Sequence, residues 1–424
     1  MKTLIKNASL LLPEGNVAEG SLAIDENKIA AVGEVPPDFT ADAVIDATGK
    51  LAVPGFVNAH THASMTLLRS YADDMNLMDW LQNKIWPIEA KMKKEDIYWG
   101  AMLAAVEMIR GGTTTFADMY GDMDKVAEAA IESGMRAVLA RGMIGVAPNG
   151  QQALEENKAL FKTYHGAGDG RITVMFGPHA PYTCPPDFLR QVVAAAKEYR
   201  AEIHIHLSET KGEVENCLKE HGMTPIALME SVGVLDCGVL AAHCVHVTDD
   251  DLALMKKYHV RVAHNPGSNM KLASGIAPVP KMLKTGLCVA LGTDGASSNN
   301  NLDMLEEMRL VALLHKVDTL DPLAVPAREA VRMATENGAK AVGIKNLGRL
   351  EKGAFADIVL FDMNGAEWCP KFDLVSLLTY SASLRSVDTV VINGKVLMEK
   401  GEMLSLDEER IIFEANRCAM QISH

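Results

Sequence analysis

The chain has 424 residues, of which 48% are hydrophobic and 23% charged, and its formal net charge is −14. An acidic chain without a basic run excludes a duplex nucleic-acid binder, whose affinity rests on neutralised phosphates, and no apolar run is long enough to span a membrane. Seven cysteines, an odd number with no Cys-x-x-Cys pair, exclude a disulfide framework and point to a reducing cytoplasm.

In chain order, residues 1–53 read as short strands joined by turns, at 21–24, 29–33 and 43–46. The apolar run Leu10-Leu11-Leu12 stops at Pro13-Glu14-Gly15, too short for a signal peptide. This segment is too small to bury a core alone. Residues 346–424 have the same character. Strands are expected at 356–361 and 389–392, and the Asn393-Gly394 turn leads into 395–397. Both ends are expected to meet in one small composite β-sandwich domain, with a helix from Asp407 on its outside.

Between them, residues 54–345 alternate apolar strand-like runs with amphipathic helical ones. The expected strands are 53–59, 114–118, 136–140, 173–177, 202–206, 239–242, 260–263 and 288–292, with helices such as 98–109 and 302–315 in the gaps. This α/β pattern predicts a (β/α)8 TIM-like barrel, whose chemistry sits at the C-terminal ends of its strands.

Those strand ends carry a histidine almost every time. The first run leads through Val53-Pro54-Gly55-Phe56-Val57-Asn58-Ala59 to His60-Thr61-His62, two imidazoles spaced i, i+2 on one face. Later runs end in His179, in His204-Ile205-His206-Leu207-Ser208-Glu209, in His243, in His264 and in Gly292-Thr293-Asp294. His60, His62, His206 and Asp294 are the candidate metal ligands. His204 shares the face of His206, so spacing alone allows either. His243 suits a transition-state contact or a ligand, while His246, His259 and His264 read as structural or solvated. Iron, manganese or zinc would fit three histidines and a carboxylate.

The set His60-x-His62, His206-Leu-Ser-Glu209, His243 and Gly292-Thr293-Asp294 resembles the amidohydrolase superfamily, and the resemblance covers nearly the whole chain. It implies one divalent metal ion, usually zinc, held by His60, His62, His206 and Asp294. Four stretches resemble a branch of that superfamily acting on thio-substituted adenosines: Trp86-Pro87-Ile88-Glu89, Gly177-Pro178-His179-Ala180-Pro181-Tyr182, His206-Leu207-Ser208-Glu209-Thr210 and His264-Asn265-Pro266-Gly267-Ser268-Asn269. The implied reaction is hydrolytic loss of the adenine 6-amino group from 5′-methylthioadenosine, S-adenosylhomocysteine and adenosine. In it Asp294 acts as base, Glu209 as general acid and His243 as a hydrogen-bond partner of the attacking oxygen.

Substrate contacts are expected from Glu89, Arg141 and His179, together with Glu209 and Asp294. Residues 70–88, with Leu77, Met78, Trp80, Leu81 and Trp86, read as a cap over the pocket or as a helical turn on the barrel rim. In the first reading Glu89 accepts both ribose hydroxyls. Arg141 reads equally as a salt-bridged strand-end arginine. The expected partner is a small nucleoside, with no nucleic acid or membrane, and the superfamily suggests a homo-oligomer. Two alternatives remain. One is another aminohydrolase, acting on guanine, a pyrimidine or a triazine. The other is a non-catalytic metal-binding barrel, for which a proton donor at Glu209 has no use. Gly166-Ala167-Gly168-Asp169-Gly170 lacks the flanking elements of a dinucleotide loop. Neither a Gly-x-Ser-x-Gly elbow nor the Pro-Cys-x-x-Cys of the other zinc deaminases occurs.

Overall fold

The computed structural model describes residues 1–423. Five strands come first: β1 (Lys2–Leu11), β2 (Val17–Asp25), β3 (Lys28–Gly33), β4 (Ala43–Asp46) and β5 (Lys50–Pro54). Eight parallel strands follow: β6 (Phe56–Thr61), β7 (Thr113–Tyr120), β8 (Arg136–Met143), β9 (Ile172–Pro178), β10 (Ile203–Leu207), β11 (Val239–His243), β12 (Arg261–His264) and β13 (Cys288–Leu291). They pair in chain order, β6 to β13. The seam between first and last strand is closed beyond the ladder. The Asp294 N–H donates to the His60 carbonyl at 3.0 Å. The Asn58 side chain donates to Thr293 Oγ1 at 2.7 Å and accepts from the Thr293 N–H at 3.0 Å. The seam thus sets His60 beside Asp294.

The first barrel run is shared between two sheets. Val53 and Pro54 end β5 in the other sheet, and the barrel strand starts only at Phe56. The chain crosses over at Gly55, whose N–H donates to the Asp357 carbonyl at 2.9 Å. A Cβ at Gly55 would lie 2.2 Å from Thr114 Oγ1, so only glycine fits the crossover. An apolar run reads the same on both sides of such a point.

The other sheet is completed by β14 (Ile358–Asp362), β15 (Val387–Ile392), β16 (Lys395–Glu399) and β17 (Glu402–Met403). Its order is β17-β16-β15-β14-β5-β1-β2-β3, with β4 beside β1. The sandwich expected from both chain ends is therefore one continuous mixed sheet. It folds over a shared core that includes Ile5, Leu22, Ile24, Ile29, Leu360 and Val391. The ten-residue β1, unread in the sequence, is central to it. The terminal helix Glu408–Ser423 buries Ala415, Cys418 and Ile422 against Leu77, Trp80, Ile85 and Ile88.

Arg136, at the start of β8, joins the two sheets. Its guanidinium meets the Asp357 carboxylate through two contacts of 3.2 Å, with both side chains 1% exposed. It also donates to Asn393 Oδ1 at 3.1 Å and lies 4.3 Å from the Phe355 ring centre. Removing one partner of such a pair strands a buried charge. Arg136→Met is expected to cost about 3–5 kcal/mol of stability, read as a lowered urea midpoint, with the loss largely restored in Arg136→Met/Asp357→Leu.

Candidate metal centre and active-site cavity

In β10, Ile203, Ile205 and Leu207 join the core under the helices, so His204 and His206 face the barrel interior. The His206 Nε2 lies 3.3 Å from the His62 Nε2. The Asp294 Oδ1 lies 3.3 Å from the His62 Nε2 and 3.4 Å from the His60 Nε2. The other ring nitrogens fix the tautomers. The His62 Nδ1–H donates to the Met119 carbonyl at 2.5 Å, and the His206 Nδ1–H to the His179 carbonyl at 2.7 Å. A carbonyl only accepts, so each neutral ring carries its lone pair on Nε2. The His60 Nδ1 is paired with His204 Nε2 at 2.8 Å, and the same assignment leaves the buried His60 Nε2 without a hydrogen-bond partner.

Lone pairs facing each other at 3.3 Å repel unless a cation lies between them. Three such pairs and a carboxylate oxygen within reach of one another fit a divalent metal ion, each ring held by an outer partner. The donor atoms of His60, His62 and His206, and those of His60, His243 and Asp294, lie within 4.8 Å of one another in each group. Burial lowers the His60 imidazole to about 4 and holds His206 well below its usual value, so both rings are neutral at neutral pH. His204, left open by spacing, sits behind His60 as its hydrogen-bond acceptor.

Asp294 and His243 both sit in left-handed backbone, at φ 63° and 72°, a conformation that costs energy and clusters at functional sites. Asp294 Oδ2 accepts from Ser268 Oγ at 2.6 Å and Ser298 Oγ at 2.9 Å, which turns Oδ1 to the histidines. The His243 Nε2 lies 3.8 Å from Glu209 Oε2. Burial works against charge on His243, yet the Glu209 and Asp294 carboxylates raise it above its usual value. Glu209 is buried, which raises its carboxyl, and it accepts from Ser274 Oγ at 3.1 Å.

This cluster floors a cavity of about 440 Å³, a size suited to a small organic ligand. Glu89 lines the cavity with Trp80, Trp86, Leu77 and Leu81, so the excursion contributes to its wall; Met78 is the exception, turned outward and 42% exposed. Burial pushes the Glu89 carboxyl up to about 7, against the Tyr120 hydroxyl that donates to it. His179 lines the wall and is paired through Nδ1 with Thr183 Oγ1 at 3.0 Å. Arg141 is salt-bridged and also faces the cavity, its Nε donating to Glu156 at 2.8 Å. His264 is buried beside His315, with ring centres 5.4 Å apart, and stays outside the cavity wall.

Residues 51–397 match the amidohydrolase family. The chain belongs to the amidohydrolase family. A 5-methylthioadenosine/S-adenosylhomocysteine deaminase from Pelotomaculum thermopropionicum is 54% identical, covering 99% of this chain and 98% of that one. A second protein of that description, from Syntrophomonas wolfei, is 51% identical over 100% of this chain and 99% of its own. An adenosine deaminase from Xanthomonas campestris, solved with bound zinc, superposes with a TM-score of 0.95 at 32% identity, covering 99% of this chain and 98% of that one.

Several residues at the site of this amidohydrolase carry no mark in the sequence. Tyr120 ends β7, two residues past the expected end of that strand. Glu213 accepts from the Ser208 and Glu209 N–H groups, both at 2.8 Å, and so fixes the turn that presents Glu209. Asp118 Oδ1 accepts from the Ala63 N–H at 2.6 Å, holding the chain just past His62. Among the described residues, no helix is long and apolar enough to cross a membrane.

Proposed function

We propose that this amidohydrolase removes the 6-amino group of adenine nucleosides by hydrolysis, with 5′-methylthioadenosine and S-adenosylhomocysteine as substrates and adenosine as a further one. The observation that carries the reading is one cavity lined together by a histidine–carboxylate cluster, Glu209 and Glu89. Relatives of 50–54% identity named for the two thio-nucleosides support the same substrate class. We take residues 54–345 as the catalytic barrel and residues 1–53 with 346–424 as the small domain. We also infer a cytoplasmic location, which the seven free cysteines support, and a homo-oligomer.

His60, His62, His206 and Asp294 would hold one divalent ion, zinc in our reading. Such an ion acts as a Lewis acid and brings the pKa of a coordinated water from 15.7 to about 7. The protein's own groups divide the proton work. Glu209 gives a proton to the ring nitrogen beside the carbon that bears the amine, which makes that carbon electrophilic. Asp294 takes one proton from the attacking water and passes it to the departing amine, and the second proton of that water restores the Glu209 carboxyl, so water and nucleoside leave as ammonia and the 6-oxo product. His243 donates its Nδ1–H to Asn269 Oδ1 at 2.8 Å. When protonated, the ring keeps a second N–H on Nε2 for the attacking oxygen. Glu89 accepts the ribose hydroxyls, and Trp80 and Trp86 cover the 5′ substituent.

The test is ammonia release and the purine absorbance shift on zinc-loaded protein with methylthioadenosine, S-adenosylhomocysteine, adenosine and guanine in parallel. Turnover of the thio-nucleosides is the expected result. Turnover of guanine alone would keep the chemistry and discard the ribose grip, and silence on all four would sink the reading. Trp86→Ala is expected to raise KM for methylthioadenosine about tenfold, since removing an aromatic ring from the cavity wall loses apolar contact of about 1.5 kcal/mol; an unchanged KM would remove Trp86 from the pocket.

A further inference from the structure

Glu89 stands on the short helix Trp86–Glu89, outside the barrel. Its carboxylate is tied down at one point. The Tyr120 hydroxyl donates to Oε1, the only hydrogen bond that this carboxylate makes among the described residues. Tyr120 is itself placed by the barrel, as the last residue of β7, paired with Arg141 of β8. Its hydroxyl also lies 3.6 Å from the Met92 sulfur.

The same strand end holds the histidine cluster. Met119, the preceding residue, takes the His62 Nδ1 proton on its carbonyl, and Asp118 takes the Ala63 N–H. The rings of Tyr120 and His62 lie 6.3 Å apart. Three successive residues thus fix a candidate metal ligand, the turn after it and the Glu89 carboxylate. A carboxylate has about four lone-pair sites, so one bond from tyrosine leaves room for two further hydroxyl donors.

We propose that Tyr120 is a positioning residue for ribose recognition, holding Oε1 of Glu89 so that the remaining lone pairs meet the two ribose hydroxyls at a fixed distance from the histidine cluster. This rests on the reading of Glu89 as the ribose acceptor. Without the phenol hydroxyl the carboxylate loses its aim, and with it the one hydrogen bond that opposes the effect of burial on its charge. Ribose hydroxyls then bind a mobile group and pay its ordering entropy on every encounter.

The experiment compares adenosine with 2′,3′-dideoxyadenosine on wild type and Tyr120→Phe, with bound metal measured on both. In wild type, adenosine is expected to be the better substrate. In Tyr120→Phe, kcat/KM for adenosine is expected to fall about tenfold, mainly through KM, as for loss of a hydrogen bond to a charged group. The dideoxy substrate should change less than about twofold, and metal content should not change. Equal losses on both substrates, or loss of bound metal, would overturn the proposal by tracing Tyr120 to packing or to the His62 strand. A wild type that treats the two substrates alike would instead remove the ribose role of Glu89, and the proposal with it. The double variant Tyr120→Phe/Glu89→Gln gives an independent check. It should be no worse on adenosine than Glu89→Gln alone, since the two residues act through one contact.

Discussion

Glu209→Gln is expected to lower kcat for methylthioadenosine by about 10²–10⁴-fold, the range for loss of a positioned general acid, with bound metal unchanged and KM altered little. The side chains are near-isosteric, so the variant keeps the shape of the floor. What it loses is a carboxyl that burial raises above its usual value. That carboxyl lines the cavity, with Oε1 accepting from Ser274 Oγ at 3.1 Å and Oε2 3.8 Å from His243 Nε2. A glutamine amide donates a hydrogen bond there and transfers no proton. A kcat within a few-fold of wild type would take the acid role away from Glu209. A drop in bound metal would recast it as a support for the cluster.

Much of this arrangement is legible in the chain because the chemistry is local to strand ends. His60, His62, His206 and Asp294 are marked by short apolar runs that stop at a histidine or aspartate, and the barrel strands follow their expected ranges to within a few residues. Two kinds of residue stay hidden. Some lie just past an expected boundary: β7 reads as ending at Asp118, whereas pairing with β8 carries it to Tyr120, opposite Arg141. Others act through contacts between distant segments, such as Ser268 and Ser298 on the Asp294 carboxylate. A serine in a loop gives no periodic signal, and nothing local distinguishes Glu213 from any acid opening a helix. The crossing at Gly55 was hidden for a third reason. A continuous apolar stretch has the same pattern whether it fills one strand or two.

His206→Ala is expected to abolish turnover, by about 10⁴-fold or more, because nucleophilic water at neutral pH depends on the ion. Its neighbour two residues away gives the informative contrast. His204 faces the same interior and reads equally well as a ligand from spacing, yet its Nε2 meets the Nδ1 of His60. Removing an outer partner of a ligating histidine typically costs about 10–100-fold in metal affinity. His204→Leu should therefore bind metal more weakly and regain most of its turnover as zinc is raised, whereas His206→Ala should stay inactive at saturating zinc. His204→Gln, which returns an acceptor to the His60 N–H, should recover part of the affinity. Thermal unfolding supplies a readout independent of activity, since an ion that binds only the folded state raises Tm with its concentration. In wild type that rise should begin at low zinc, and in His204→Leu at about 10–100-fold higher zinc. If the two variants exchanged behaviour, His204 would be the ligand and His206 its support. That outcome would require the barrel interior to be rearranged around His60, because a ring that spends Nε2 on His60 has only its other nitrogen to offer.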